Sequence, residues 1–363
     1  MKPSGIAVLI LLLVASAFAS RTGPDIDLPV RLSRLSERVV AARVGELAMS
    51  NQTIAVASSR GIVVIDTYAS RIYQERIRKA VEKEFGRNDY FAVINTHQHY
   101  DHTNGNQLYA GLPIIAHEAA REGMTSETAR IPDWFIRVNR GIQDMEDKQK
   151  LLDAESREGK TNRENIAYWR AVIRDMQQGH VSTPPNVVFN GRISLDLGDL
   201  TIDLYSFPGL HTRGDILVHI PEEQVLCVGD MINDGWLPPL DRDAATDPAY
   251  LLRTWKEVLE RGPDIRHVLP GHSYVKVSFE TFKWRYEYFR TLWEGLIKAK
   301  EAGKSLAEAQ TMLGFETTFP DRKDMIRKLP GRGQGGEVDV HLQNIEVLWA
   351  AIPGAGASKD DGR

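Results

Sequence analysis

The sequence predicts a layered α/β protein, with a helical insertion in its middle and a helical extension at its C-terminal end. Three observations predict it. Short apolar or alternating runs of strand length recur along the chain, amphipathic segments of helix length stand between them, and the order is strands, helix, strand, helical block, strands, helix, strand, helices. The 363 residues are 42% apolar and 26% charged, proportions of an ordinary globular chain that exclude a disordered, collagenous or coiled-coil protein. A formal net charge of −4 argues against nucleic-acid binding through bulk charge. The single cysteine, Cys227, excludes an intrachain disulfide, a cysteine-based zinc module and a Cys-X-X-Cys redox pair. Any metal must be held by histidines and carboxylates.

The elements follow in order. Lys2, the unbroken apolar run Ile6 to Ala15 and the small-residue pattern Ala17-Phe18-Ala19 read as a secretory leader over residues 1–19. A core of ten is short against the roughly 20 residues that span a bilayer, so cleavage after Ala19 and an exported, periplasmic or secreted protein are expected. Thr53 to Ala57 and Gly61 to Ile65 form two strands joined at Ser58-Ser59-Arg60-Gly61. Tyr73, Ile77, Ala80, Val81 and Phe85 fall at helical spacing, and Gly86 stops that helix. Phe91 to Ile94 and Pro113 to Ala116 are further strands. Residues 118–182 turn charged and amphipathic and read as several helices inserted between strands. Strand signals return at Val187–Phe189, Ile193–Leu197, Thr201–Tyr205, Ile216–Ile220 and Val225–Val228. Asp247 caps a helix that has Pro248 in its first turn and ends at Gly262. His267 to Leu269 is the last strand predicted. Helices follow from Ser278 to Ala302 and from Ser305, which forms a capping box with Glu308. Residues 330–336 are a glycine-rich loop before a helix through Trp349, and the last ten residues carry no structural signal. The expected division is 1–19 leader, 20–277 main domain with the 118–182 insertion, and 278–363 C-terminal helical extension.

The chemistry concentrates in Thr96-His97-Gln98-His99-Tyr100-Asp101-His102, directly after an apolar strand. Imidazole and carboxylate suit zinc, iron or manganese. Four such groups so close together fit two ions better than one tetrahedral ion. Three more candidates sit at strand ends: His211 after Pro208-Gly209, Asp230 after Gly229, and His272 in Pro270-Gly271-His272. Four ionisable residues after an apolar strand would be costly to bury without a metal.

The set H-x-H-x-D-H, a histidine after Pro-Gly, an aspartate after a strand-glycine and a histidine in P-G-H resembles the metallo-β-lactamase superfamily over roughly residues 50 to 275. The resemblance implies a four-layer αββα sandwich. It also implies a first metal on His97, His99 and His211, a second on Asp101, His102 and His272, and a bridging Asp230. Asp66 would support the site by hydrogen-bonding a ligand. The expected cofactor is a pair of divalent ions, zinc first, with manganese or iron as alternatives. The expected function is a metal-dependent hydrolase of a small-molecule ester, thioester, lactone or amide. In it a metal-activated hydroxide attacks, and Asp101 both ligates and orients that hydroxide. A class B β-lactamase is one alternative, against which Asp230 stands where those enzymes carry cysteine or serine. A mononuclear-iron persulfide dioxygenase is the other. No nucleic-acid partner is expected, nor a membrane partner after leader cleavage.

The other histidines, His117, His180, His219, His267 and His341, read as packing or surface residues, and Cys227 as a buried inert thiol. Tyr100, Trp134, Phe135 and Trp236 are candidate pocket walls, although for Trp134 and Phe135 packing of the insertion is the better reading. The helical block is a candidate hood over the metals.

Overall fold

A computed structural model of the chain describes residues 27–46, 51–128, 131–232, 237, 239–240, 247–262, 265–272, 276–323, 325, 328–330 and 337–353. The predicted leader, Trp236, residues 331–336 and the last ten residues lie outside the described residues, as does the side chain of Trp134. The architecture is α/β, with two large sheets and helices, and the chain divides into two compact units.

The first sheet has seven strands in chain order: β1 (Val30–Arg34), β2 (Val39–Val44), β3 (Thr53–Ser58), β4 (Gly61–Ile65), β5 (Tyr90–Ile94), β6 (Ile114–His117) and β7 (Val187–Phe189). β1 to β4 pair antiparallel, and the Ser58–Gly61 turn closes the β3–β4 hairpin as its sequence predicts. β4, β5 and β6 pair parallel, which requires a crossover between β4 and β5. That crossover contains α1 (Arg71–Phe85), whose Ser70 side chain accepts the Tyr73 N–H and whose Gly86 ends it at φ 66°. Its buried face, Tyr73, Gln74, Ile77 and Val81, is the helical spacing seen in the sequence. α2 (Tyr100–Thr103) follows β5. The insertion contains α3 (Glu118–Thr128), α4 (Ile131–Gln149) and α5 (Arg157–Gln177).

The insertion is part of the first core. Phe135 and Ile142 of α4, with Ile166, Tyr168, Val172 and Ile173 of α5, are buried together with Val40, Val64, Tyr68, Tyr73, Ile77 and Val93. Burying one such side chain contributes about 1.5–3 kcal/mol. Phe135 is therefore a packing residue.

The second sheet has the order β12-β11-β10-β9-β8, from β8 (Arg192–Asp196), β9 (Thr201–Ser206), β10 (Ile216–Ile220), β11 (Val225–Gly229) and β12 (His267–Pro270). Only the β11–β12 pair is parallel. Its crossover contains α6 (Pro248–Arg261), capped by Asp247, which accepts the Tyr250 N–H at 2.9 Å. α7 (Phe279–Glu301), α8 (Leu306–Met312), α9 (Phe315–Thr318) and α10 (Val340–Ala351) follow. Both halves of the Ser305–Glu308 capping box form. Trp255 is fully buried against Phe207, Phe282 and Phe289. The C-terminal helices add Tyr288, Phe315, Ile345 and Leu348 to that core.

Four strands exceed the sequence reading: β1, β2 and the small hairpin of β13 (Lys328–Pro330) with β14 (Glu337–Asp339). Arg31, Arg34 and Arg43 interrupt the apolar pattern of β1 and β2, and Lys328–Pro330 and Glu337–Asp339 are short and lack an apolar run. Among the described residues no helix is long and apolar enough to cross a membrane.

Candidate metal centre

Ala92, Val93 and Ile94 anchor the end of β5 in the interior, and the chain then enters the His97–His102 segment. A buried amide pair holds that segment: the Asn95 and Asn106 side chains donate to one another's oxygens at 3.1 and 2.9 Å, and the Thr67 hydroxyl donates to Asn106 at 2.7 Å. Polar groups buried this deeply persist only when hydrogen-bonded. They fix the backbone from which His97, His99, Asp101 and His102 project.

His211, Asp230 and His272 stand just beyond β9, β11 and β12, at the strand ends where the sequence locates them. The His211 loop is built on buried Asp215, whose carboxylate accepts the backbone N–H of His211 at 2.6 Å and of Thr212 at 2.8 Å, and the Thr212 hydroxyl at 2.7 Å. Burial pushes the Asp215 carboxyl up to about 7, against the pull of the Thr212 and His211 hydrogen bonds.

Asp230 Oδ2 lies 3.8 Å from His97 Nε2, 3.5 Å from His211 Nε2 and 3.1 Å from His272 Nε2. The His97 and His211 rings stand at 85° to one another. The ligand atoms form two groups, each within 4.8 Å internally: His97, His99, His211 and Asp230 in one, Asp101, His102 and His272 in the other. Donors bonded to one tetrahedral ion at about 2.0–2.2 Å sit roughly 3.3 Å apart. The observed spacings and the all-imidazole-and-carboxylate donor set fit divalent ions of the zinc, iron or manganese kind. Asp230 belongs to the first group and also stands within reach of His272 of the second, as a shared ligand must.

Two contacts set the imidazole orientation. His102 Nδ1 is 3.0 Å from Asp66 Oδ2, and His97 Nδ1 is 3.1 Å from Thr96 Oγ1. Each leaves Nε2 for the site. Asp66 makes its contact from φ 58°, left-handed backbone for a residue with a side chain. Gly229 sits at φ 50°, where an added Cβ would lie 2.8 Å from Thr96 Oγ1 and 3.6 Å from His97 Nδ1. Glycine there lets β11 pass close to the His97 support.

The sequence profile of the metallo-beta-lactamase superfamily matches residues 47–272, a stretch that contains all seven candidate ligands. The chain belongs to the metallo-β-lactamase superfamily. It is 28% identical over 232 residues to the human acyl-coenzyme A thioesterase MBLAC2, covering 60% of this chain and 71% of that protein. To the Bos taurus acyl-coenzyme A thioesterase MBLAC2 it is 28% identical over 184 residues, 50% of this chain and 55% of that one. Its fold resembles the stereoselective inverting sec-alkylsulfatase Pisa1 from Pseudomonas sp., with a TM-score of 0.57 and 13% identity, over 90% of this chain and 50% of that one. Superfamily membership and the thioesterase relatives make the chain a hydrolase.

Some residues beside these candidate ligands were given no role by the sequence. Asn51 is 1% exposed, and its Nδ2 lies 3.1 Å from Asp101 Oδ2 and 3.2 Å from His102 Nε2. Tyr168 of α5 donates its hydroxyl to Asn51 Oδ1 at 2.7 Å. Thr96 and Asp215 complete the supporting set. None has a spacing that marks it.

The remaining histidines sit elsewhere. His341 packs between the Tyr288 hydroxyl and the Leu313 carbonyl, His117 accepts the Ala119 N–H, and His180 stands beside Gln107. His219 is buried in β10 and His267 is half-buried in β12. Cys227 is buried in β11 and belongs to neither ligand group.

Proposed function

We infer that this superfamily member hydrolyses thioesters, or closely related activated acyl esters, at a dinuclear metal site. The observation that carries the metal reading is the Asp230 carboxylate facing three imidazole Nε2 atoms within 3.1–3.8 Å. Such a cluster of acceptor atoms is stable next to cations and costly without them. The substrate class is supported by the human and bovine relatives, whose names describe acyl-coenzyme A thioesterases. Asp230 is the residue type that favours this reading over a β-lactamase.

His97, His99 and His211 would hold one ion and Asp101, His102 and His272 the other, with Asp230 shared. Bound there, divalent ions supply Lewis acidity and lower the pKa of water. The chain's own residues supply the rest. Asp66 accepts a hydrogen bond from His102 Nδ1–H and so fixes the tautomer whose Nε2 would be a ligand. Asp215 fixes the loop that presents His211. Asp101 is assigned a second role: its carboxylate accepts the hydrogen bond of the attacking water and aims it at the acyl carbon. Addition of water there breaks the carbon–sulfur bond, giving a carboxylic acid and a free thiol. The mechanism needs no serine or cysteine nucleophile.

The test is thiol release from acyl-coenzyme A by the purified protein, before and after chelation, beside a lactone and a β-lactam. Thiol release abolished by a chelator and restored by zinc is the expected result. Cleavage of the β-lactam alone moves the substrate class. A single iron with oxygen consumption and no hydrolysis overturns the hydrolytic mechanism.

A further inference from the structure

We propose that Tyr168 and Asn51 form a positioning relay by which the helical insertion sets the geometry of the second metal group. The proposal rests on the metal reading above and concerns two residues to which that reading gives no role.

The relay is built in three steps. The Tyr168 ring is 1% exposed and clamped by aromatic neighbours: it stacks on Tyr73 at 5.9 Å with planes 1° apart, and meets Tyr68 and Trp169 edge-on at 6.0 and 5.2 Å. A ring held on three sides has one place for its hydroxyl. Burial raises the phenol well above its ordinary range, so it stays a neutral donor. That hydroxyl donates to Asn51 Oδ1 at 2.7 Å.

With its oxygen occupied, the Asn51 amide can point only its NH₂ toward the site. The carboxylate of Asp101 accepts and cannot donate, so the 3.1 Å contact from Asn51 Nδ2 to Asp101 Oδ2 is a hydrogen bond of defined direction. The same nitrogen lies 3.2 Å from His102 Nε2. Both neighbours belong to the group Asp101, His102 and His272. Asp66 holds His102 from its Nδ1 side at 3.0 Å. Asn51, through its hydrogen bond to Asp101, and Asp66, through His102 Nδ1, therefore locate the second group from two directions, and the Asn51 half depends on a residue of α5.

The expected consequence is selective. Loss of an outer hydrogen-bond partner weakens a metal site by about 10–100-fold, and here it falls on one ion of two. Zinc affinities are read by competition with a chromogenic chelator for the wild-type chain, Tyr168→Phe, Asn51→Ala and the double variant. Melting temperatures are read for the same proteins without metal. Tyr168→Phe keeps the clamped ring, so its metal-free melting temperature stays near wild type. In both single variants one ion keeps its affinity and the other weakens. The double variant matches Asn51→Ala, because both changes break the same chain of contacts. Unchanged affinity for both ions in both single variants overturns the relay. Equal weakening of both ions, together with a lowered metal-free melting temperature in Tyr168→Phe, also overturns it and leaves a packing role. A wild-type chain that takes up no zinc instead removes the metal reading on which the relay rests.

Discussion

At Asp66 the backbone sits at φ 58° while the carboxylate takes the Nδ1 side of His102. A non-glycine residue in that region costs about 1–2 kcal/mol, and the contact to His102 explains why the chain holds it there. Asp66→Asn keeps the shape and removes the charge. It should weaken zinc binding and turnover by about tenfold or more, read by chelator competition and thiol release on one preparation. Gly229 shows the opposite requirement, since its neighbour is the Thr96 hydroxyl that supports His97. Gly229→Ala drives a methyl against Thr96 and should cost about 1–3 kcal/mol, measured by denaturant unfolding, with zinc affinity falling alongside.

Among the elements, the helical insertion is the one whose role the structure changes. Its amphipathic pattern suits a cover over a site, which trimming would merely retune. Instead α4 and α5 place six apolar side chains in the first core, and Asp175 of α5 accepts the Ser70 hydroxyl at 3.0 Å and the Arg71 N–H at 2.5 Å where α1 begins. Excising 118–182 should therefore yield a chain that does not fold, seen as loss of a cooperative melting transition by circular dichroism. A folded, metal-loaded protein with altered substrate preference would restore the hood. In the second core the equivalent lever is Trp255 of α6, at 0% exposure among four aromatic rings. Trp255→Ala should cost about 3–5 kcal/mol, visible as a lower unfolding midpoint.

For the whole molecule, Asp230 stands within 3.1–3.8 Å of His97, His211 and His272, candidate ligands from both groups. The wild-type chain should carry close to two divalent ions. Metal removal should lower its melting temperature, because an ion held at a thousand times its Kd stabilises the folded state by about 4 kcal/mol. Asp230→Ala should lower the metal content below two ions and reduce turnover by about two orders of magnitude or more. Elemental analysis and rate are measured together; two ions at an unchanged rate would remove the bridge and leave the fold standing. The leader read at residues 1–19 predicts that exported material begins at Ser20, which N-terminal sequencing checks.

The seven candidate ligands were legible because metal binding restricts residue type, and because the loops after strands are where backbones converge. His97, His99, Asp101 and His102 crowd six positions, and His211, Asp230 and His272 each follow a strand beside glycine or proline. Two helix starts announced themselves equally well, since capping chemistry is local: Asp247 and Ser305 each act within three residues of their own position. Asn51 and Tyr168 could not be read this way. They meet across 117 positions, and an asparagine or tyrosine acquires its role from the partner brought to it, which no local pattern encodes. The sequence by itself determined which residues are candidates to hold metal and where the longer helices and most strands of the two large sheets lie. The tertiary structure alone decided that the insertion shares the first core and reaches the Asp101–His102 pair, because burial and long-range hydrogen bonds exist only once distant segments have packed.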